Sequence, residues 1–213
     1  MVEYEMLKAR VQELAAREWD LDAIVARYQR MAEEGIPRKT LNPEEIRANR
    51  EQILDRVQRR AEEYNYLARN CAKGTALALM EEFGLGNLEI IQALSPFPGF
   101  GGTGWICGAV TGGLIALGLF FGNRDVLNYE ATGAAIRAAR KFMPRFQETV
   151  GSVLCPEIQE KVIFGRYMDP AASLRNMAAF VAAKGFEKCS LLPGIGARIA
   201  AEIIIQSLLG EEV

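Results

Sequence analysis

Four cysteines, Cys71, Cys107, Cys155 and Cys189, are the residues best suited to chemistry in this 213-residue chain, and no histidine is present to assist them. Without imidazole, Ser-His-Asp and Cys-His catalysis, His-ligated zinc, a 2-His-1-carboxylate iron site and an ordinary CxxCH haem attachment are all excluded. Redox or metal chemistry would therefore run through thiolates. The cysteines are separated by 36, 48 and 34 residues with no CxxC pair, so neither a thioredoxin-like dithiol nor a zinc ribbon is indicated.

Cys107 follows the run Gly99-Phe100-Gly101-Gly102-Thr103-Gly104 and is expected in the first turn of an apolar helix. Cys155 precedes Pro156 and is expected at or beside an N-cap. The partial positive charge and free N–H donors of a helix N-terminus would lower both thiol pKa values. A thiol–disulfide oxidoreductase would use these two as its attacking and resolving pair. Cys71 reads as mid-helix, in Arg69-Asn70-Cys71-Ala72, and Cys189 as part of a short linker before Leu192-Pro193-Gly194. Taken singly, each cysteine also reads as a small buried hydrophobe.

The elements that position these residues read as helices. Residues 1–69 carry 13 Lys/Arg and 14 Asp/Glu, more than half of all the charges in a third of the length. Met6, Leu7, Val11, Leu14 and Ala15 repeat at helical spacing; Asp20 caps a second stretch ending near Gly35-Ile36-Pro37. Asn42-Pro43-Glu44-Glu45 supplies an N-cap, an N1 proline and an acid at N3. From there the pattern predicts one helix running to Phe83, with Ile46, Ile53, Leu54, Val57, Ala61, Tyr64, Leu67 and Cys71 on one face. Residues 1–63 are expected to form a charged helical arm on a four-cysteine helical domain, residues 64–213, and to contribute to self-association.

Between Glu89 and Arg124 there is no charged residue. Trp105–Phe121 approaches the length of a bilayer span, but its glycines, Thr111 and the lack of flanking basic clusters favour a buried central helix. Further helices are expected over Asp125–Thr149, with Pro144 as a kink or break, at Cys155-Pro156, from Asp169-Pro170 through Lys184, and over Ala197–Leu209. No convincing alternating strand occurs, so the class is all-α: a helical bundle around a buried glycine-rich apolar helix, with an N-terminal helical arm. The N-terminus runs straight into charged helical sequence without a signal-peptide core, which predicts a cytoplasmic protein with reduced thiols; a membrane is not expected as a partner.

Asn70-Cys71-Ala72, the Gly99–Gly102 run, Cys107-Gly108-Ala109-Val110-Thr111-Gly112-Gly113, the Phe146, Gly151-Ser152 and Cys155 segment and Cys189 together resemble the C_GCAxxG_C_C family of redox-active proteins. The resemblance spans roughly residues 64–192 and uses all four cysteines; here glycine follows Cys107, where the family motif has it before the cysteine. The same region is similar to the non-haem part of split-Soret cytochromes, for which an iron–sulfur centre has been proposed. The resemblance implies a cysteine-ligated redox site, an iron–sulfur cluster of [2Fe–2S] or [4Fe–4S] type without haem, serving electron transfer with a redox partner protein. Cys71, Cys107, Cys155 and Cys189 would be the metal ligands. Gly101, Gly102, Gly104 and Gly108 would let backbone N–H groups approach the cluster, and Trp105, Ile106, Phe97 and Phe100 would form its apolar shell. Zinc on the four cysteines is a weaker fit. No substrate pocket is legible, so whether the chain is an enzyme stays open.

A second likeness points elsewhere. Leu192-Pro193-Gly194-Ile195-Gly196 resembles the turn of a helix-hairpin-helix that binds nucleic-acid phosphates. With a net charge of −2 and only Lys184, Lys188 and Arg198 nearby, a tight interhelical turn is the better expectation, and nucleic acid is not expected as a partner.

Overall fold

The computed structural model describes residues 2–211. Its helices are α1 (Tyr4–Ala16), α2 (Leu21–Glu34), α3 (Pro43–Ala48), α4 (Arg50–Ala68), α5 (Cys71–Phe83), α6 (Leu88–Ala93), α7 (Gly99–Gly102), α8 (Gly108–Phe121), α9 (Tyr129–Val150), α10 (Cys155–Ile158), α11 (Leu174–Ala182), α12 (Gly185–Cys189) and α13 (Leu191–Leu208). A π-helical turn, Gln159–Ile163, continues α10. Among the described residues the only extended pairing is one antiparallel bridge, Ile106 with Leu154. The all-α expectation stands.

Polar caps set the helix starts. Asp20, Asn42, Asn70, Asn128 and Ser173 each accept a backbone N–H of the helix that follows, which satisfies donors that the first turn leaves free. α4, α5, α8 and α13 pack against one another, and α9 closes the bundle over α8 and α13. Leu54, Val57 and Ala61 from α4, Leu79 and Met80 from α5, Ala109 and Val110 from α8, and Ile203 and Ile204 from α13 are fully enclosed. The glycine-rich α8 is buried over residues 108–113 and at Ala116 and Leu117; Ile115 and Gly118 face outward. α13 is buried along most of its length. Gly185–Leu208, long and apolar enough to cross a membrane, has 67% of its apolar window inside the protein.

Several sequence expectations are corrected. The single helix over residues 42–83 is three helices, broken at Asn49 and again at Arg69, whose left-handed φ of 50° ends α4. α9 runs through Pro144 without a break. No helix begins at Asp169-Pro170: that stretch is a loop, and α11 starts after the Ser173 cap. Leu192–Gly196 is no turn but the start of α13, so there is no hairpin to present to a phosphate. Its glycines serve packing instead. A Cβ at Gly194 would stand 2.9 Å from Glu62 Cγ, and one at Gly196 would stand 3.0 Å from the Ala109 carbonyl oxygen. Pro193 fits because the first helical turn has no N–H bond to lose.

The charged N-terminal helices are tied down by ion pairs. Glu62 of α4 is wholly buried and receives Arg10 (3.2 Å) and Arg17 (2.7 Å) from α1 and the segment after it. Glu82 of α5 receives Arg56 (2.6 Å) and Arg60 (3.4 Å). α4 itself runs through residue 63, the expected edge of the arm.

Candidate functional site

Cys71 owes its position to the break after α4. Arg69 turns the chain, Asn70 Oδ1 accepts the Lys73 N–H at 3.0 Å, and Asn70 Nδ2 donates to the Ser95 carbonyl at 3.2 Å. Cys71 is thereby the first residue of α5, not a mid-helix residue. The Cys107 thiol and the backbone N–H groups of Gly108, Cys71 and Ala72 lie around its sulfur and favour its charged form. The N-termini of α5 and α8 thus meet at one sulfur. The approach requires glycine at 108, because a Cβ there would run into Cys71 Sγ and stand 2.9 Å from the Ala72 nitrogen.

The Ile106–Leu154 bridge places the next two cysteines. Cys107 N donates to the Val153 carbonyl and Cys155 N to the Trp105 carbonyl, both at 2.8 Å. Two loops far apart in sequence are held side by side, each presenting a cysteine just past the bridge. Cys107 is the N-cap residue of α8 and is 1% exposed. Cys155 opens α10 and accepts Gln159 Nε2 at 3.5 Å. Cys189 closes α12 rather than lying in a linker. Asn65 of α4 holds that end of the chain by donating to Ser190 Oγ (2.8 Å) and the Phe186 carbonyl (3.0 Å).

The electrostatics reverse the expected order of activation. Cys71 is the sulfur whose pKa is lowered, first by the Cys107 thiol and then, against the opposing effect of burial, by the backbone donors. Cys107 is pushed well above the usual thiol range, because it is the donor in that pair and because it is buried. Burial raises Cys155 to about 12, with the negative charge on Cys71 adding to it. Burial also raises Cys189, and Cys155 and Cys71 act in the same direction. Cys107 and Cys155 were expected to be activated by helix starts. At Cys107 the contact with Cys71 and burial hold the proton, and at Cys155 burial and the negative charge on Cys71 outweigh the helix start. The two sulfurs that act most strongly on each other are those of Cys71 and Cys107, not Cys107 and Cys155.

Cys71, Cys155 and Cys189 line one cavity of about 440 Å³, and Cys107 stands behind Cys71. Gly99, Gly102 and Gly104 form part of one wall; Gly101 is not in the lining, and Gly108 acts from behind, through Cys71. Gly104 lies so close under Tyr167 that a Cβ there would stand 2.7 Å from the Tyr167 oxygen. The expected apolar shell is only partly in place: Trp105 is 57% and Phe100 46% exposed, while Phe97 and Ile106 pack against the core. The cavity's apolar walls come instead from Pro98, Met177, Phe180 and Phe186. Arg69 also lines it, with its guanidinium 5.4 Å from the Phe186 ring centre.

Asn65, Arg69 and Gln159 were not singled out from the sequence. For Asn65 and Arg69 a faint signal existed, since both flank the Asn70-Cys71 helix start; for Gln159 there was none beyond its place four residues after Cys155. Among the described residues, no three His, Cys, Asp or Glu side chains stand close enough to share a single metal ion. The donor set, three thiols lining one cavity with a fourth behind Cys71 and no imidazole, fits a polynuclear group better than one ion, because a cluster distributes its thiolates around its own body.

A family model described as "Putative redox-active protein (C_GCAxxG_C_C)" matches residues 69–203. That stretch begins at the α4–α5 break and ends within α13, and it contains all four cysteines. No curated protein and no solved structure matches the chain.

Proposed function

Because the chain belongs to the C_GCAxxG_C_C family of redox-active proteins, we propose that its four cysteines hold an iron–sulfur cluster and that the protein passes single electrons to or from a partner protein. The observation that carries this reading is the gathering of Cys71, Cys155 and Cys189 on one cavity with Cys107 buried beside Cys71. Bound there, a cluster would supply one-electron chemistry whose potential depends on burial and on hydrogen bonds to sulfur. The chain's own groups match those needs. Backbone N–H groups of Gly108 and Ala72 and the Gln159 amide point at sulfur, while Phe180, Phe186 and Pro98 exclude water from the walls.

Replacing each cysteine in turn by serine tests the reading. Every one of the four variants should lose most of the visible absorption of anaerobically reconstituted protein; absorption unchanged in all four would overturn it.

A second reading is favoured by one contact. The contact of Cys71 with Cys107 pairs a low-pKa sulfur with a buried thiol, the asymmetry of a dithiol oxidoreductase. Cys71 would attack a disulfide substrate and release one thiolate, and Cys107 would then displace the second, leaving a Cys71–Cys107 disulfide. Mass spectrometry of the metal-free protein after treatment with oxidised glutathione separates this reading from the first: a specific Cys71–Cys107 crosslink supports it, and its absence removes it.

A further inference from the structure

We infer that Gln159 is a positioning residue that couples Cys155 to the loop roofing the cysteine cavity, residues 165–173. Its side chain is 4% exposed and faces the cavity. One amide serves both partners: Nε2 donates to Cys155 Sγ at 3.5 Å, and Oε1 accepts the Met168 N–H at 2.8 Å. Its backbone carbonyl also accepts the Phe164 N–H at 2.8 Å, the bond that closes the π-helical turn and launches the loop. π-turns of this kind are concentrated at functional sites.

The loop is the roof because Tyr167, Asp169, Pro170 and Ala171 line the cavity. It rests on the glycine wall, with Ala171 Cβ 3.2 Å from where a Cβ of Gly102 would lie. A thiol sulfur is a weak acceptor, whereas a thiolate, free or ligating, is a strong one. When Cys155 becomes a ligand, a step that rests on the cluster reading, the Nε2–H···S bond tightens and fixes the amide plane. Oε1 would then be held toward Met168, which keeps that backbone anchor of the roof in place. Without that hold the amide can turn, and the roof loses a backbone anchor.

Trypsin cleavage after Arg166, an exposed residue of the roof, reads this in the full-length chain. In metal-free protein Gln159→Leu should speed cleavage by about fivefold, the factor that one net hydrogen bond carries. Gln159→Glu keeps an acceptor for the Met168 N–H but loses the donor to Cys155, so its acceleration should fall between the parent's and that of Gln159→Leu. Because Cys155→Ala already frees the amide, Gln159→Leu should add less to the cleavage rate in that background than in the parent. Reconstitution with ferrous iron and sulfide should slow cleavage in the parent but not in Gln159→Leu, whose cluster should also have a lower reduction potential. Cleavage of metal-free Gln159→Leu at the parent rate would overturn the inference. So would equal acceleration by Leu and Glu. If the parent takes up no iron, the cluster reading fails, while the metal-free comparison still decides the role of Gln159.

Discussion

The buried thiol of Cys107 lies against the sulfur of Cys71, where the N-termini of α5 and α8 meet. This contact separates the reactivity of the two sulfurs. Cys71 is the one whose pKa is lowered, and Cys107 is held protonated.

The first prediction concerns pH. A lowered pKa means that Cys71 is a thiolate, and alkylates quickly, at pH values where an ordinary thiol is still protonated. Cys107→Ala removes the largest cause of the lowering, so the midpoint of the rate–pH profile for Cys71 in metal-free protein should move upward. Iodoacetamide labelling read by peptide mass spectrometry follows it. A midpoint unchanged in Cys107→Ala would mean that the backbone donors alone set the acidity of Cys71.

Glycine 108 gives a second test. Gly108→Ala places a methyl group into Cys71 Sγ and against the Ala72 nitrogen. Overpacking of that kind should cost about 1–3 kcal/mol, which for a domain of this size lowers Tm by several degrees, and it should reduce iron uptake. Gly118 is the control. It lies in the same helix with nothing within 4 Å of its Cβ position, so Gly118→Ala should be neutral or stabilising by up to about 1 kcal/mol. Calorimetry on the two variants decides whether close approach, rather than helix propensity, explains glycine at 108.

Much of this arrangement was legible in the sequence, and the misses have physical reasons. Asp20 and Asn42 announce their helices because each puts an acceptor before an apolar periodic run. The break at Arg69 carries no glycine or proline, so the pattern runs through it; only the capping residue Asn70 marks the start of α5. Pro193-Gly194 reads as a turn by type, yet tertiary packing against Glu62 overrides it and the segment is helical. The four sulfurs were identifiable, but their pairing was not. It depends on the Ile106–Leu154 bridge and on burial, neither of which spacing encodes.

The anchoring of Cys189 is open to a third test. Asn65 Nδ2 holds Ser190 and the Phe186 carbonyl, fixing the end of α12 against α4. Asn65→Ala removes a donor from both, although Ser190 Oγ still donates to the Phe186 carbonyl at 2.9 Å, and should destabilise the fold by about 1 kcal/mol. Iron content should fall with it, although no cysteine has changed. Retention of full iron at reduced stability would show that Cys189 is held by packing alone.

A fourth prediction addresses the N-terminal helix. Glu62 is wholly buried and relies on Arg10 and Arg17 for charge balance. Changing both arginines to alanine leaves that carboxylate uncompensated and should destabilise the protein by about 3 kcal/mol, whereas Lys8→Ala, which breaks only an exposed pair with Glu5, should change stability by less than about 0.5 kcal/mol. Urea unfolding of the two variants measures the difference.

Iron and acid-labile sulfide per chain, determined on protein purified without oxygen and read alongside the visible spectrum, test the central claim most directly. The four-thiol site predicts about two to four irons with matching sulfide and broad visible absorption. A colourless protein with neither iron nor sulfide, in which all four thiols titrate, would contradict it and leave the Cys71–Cys107 pair as the redox centre.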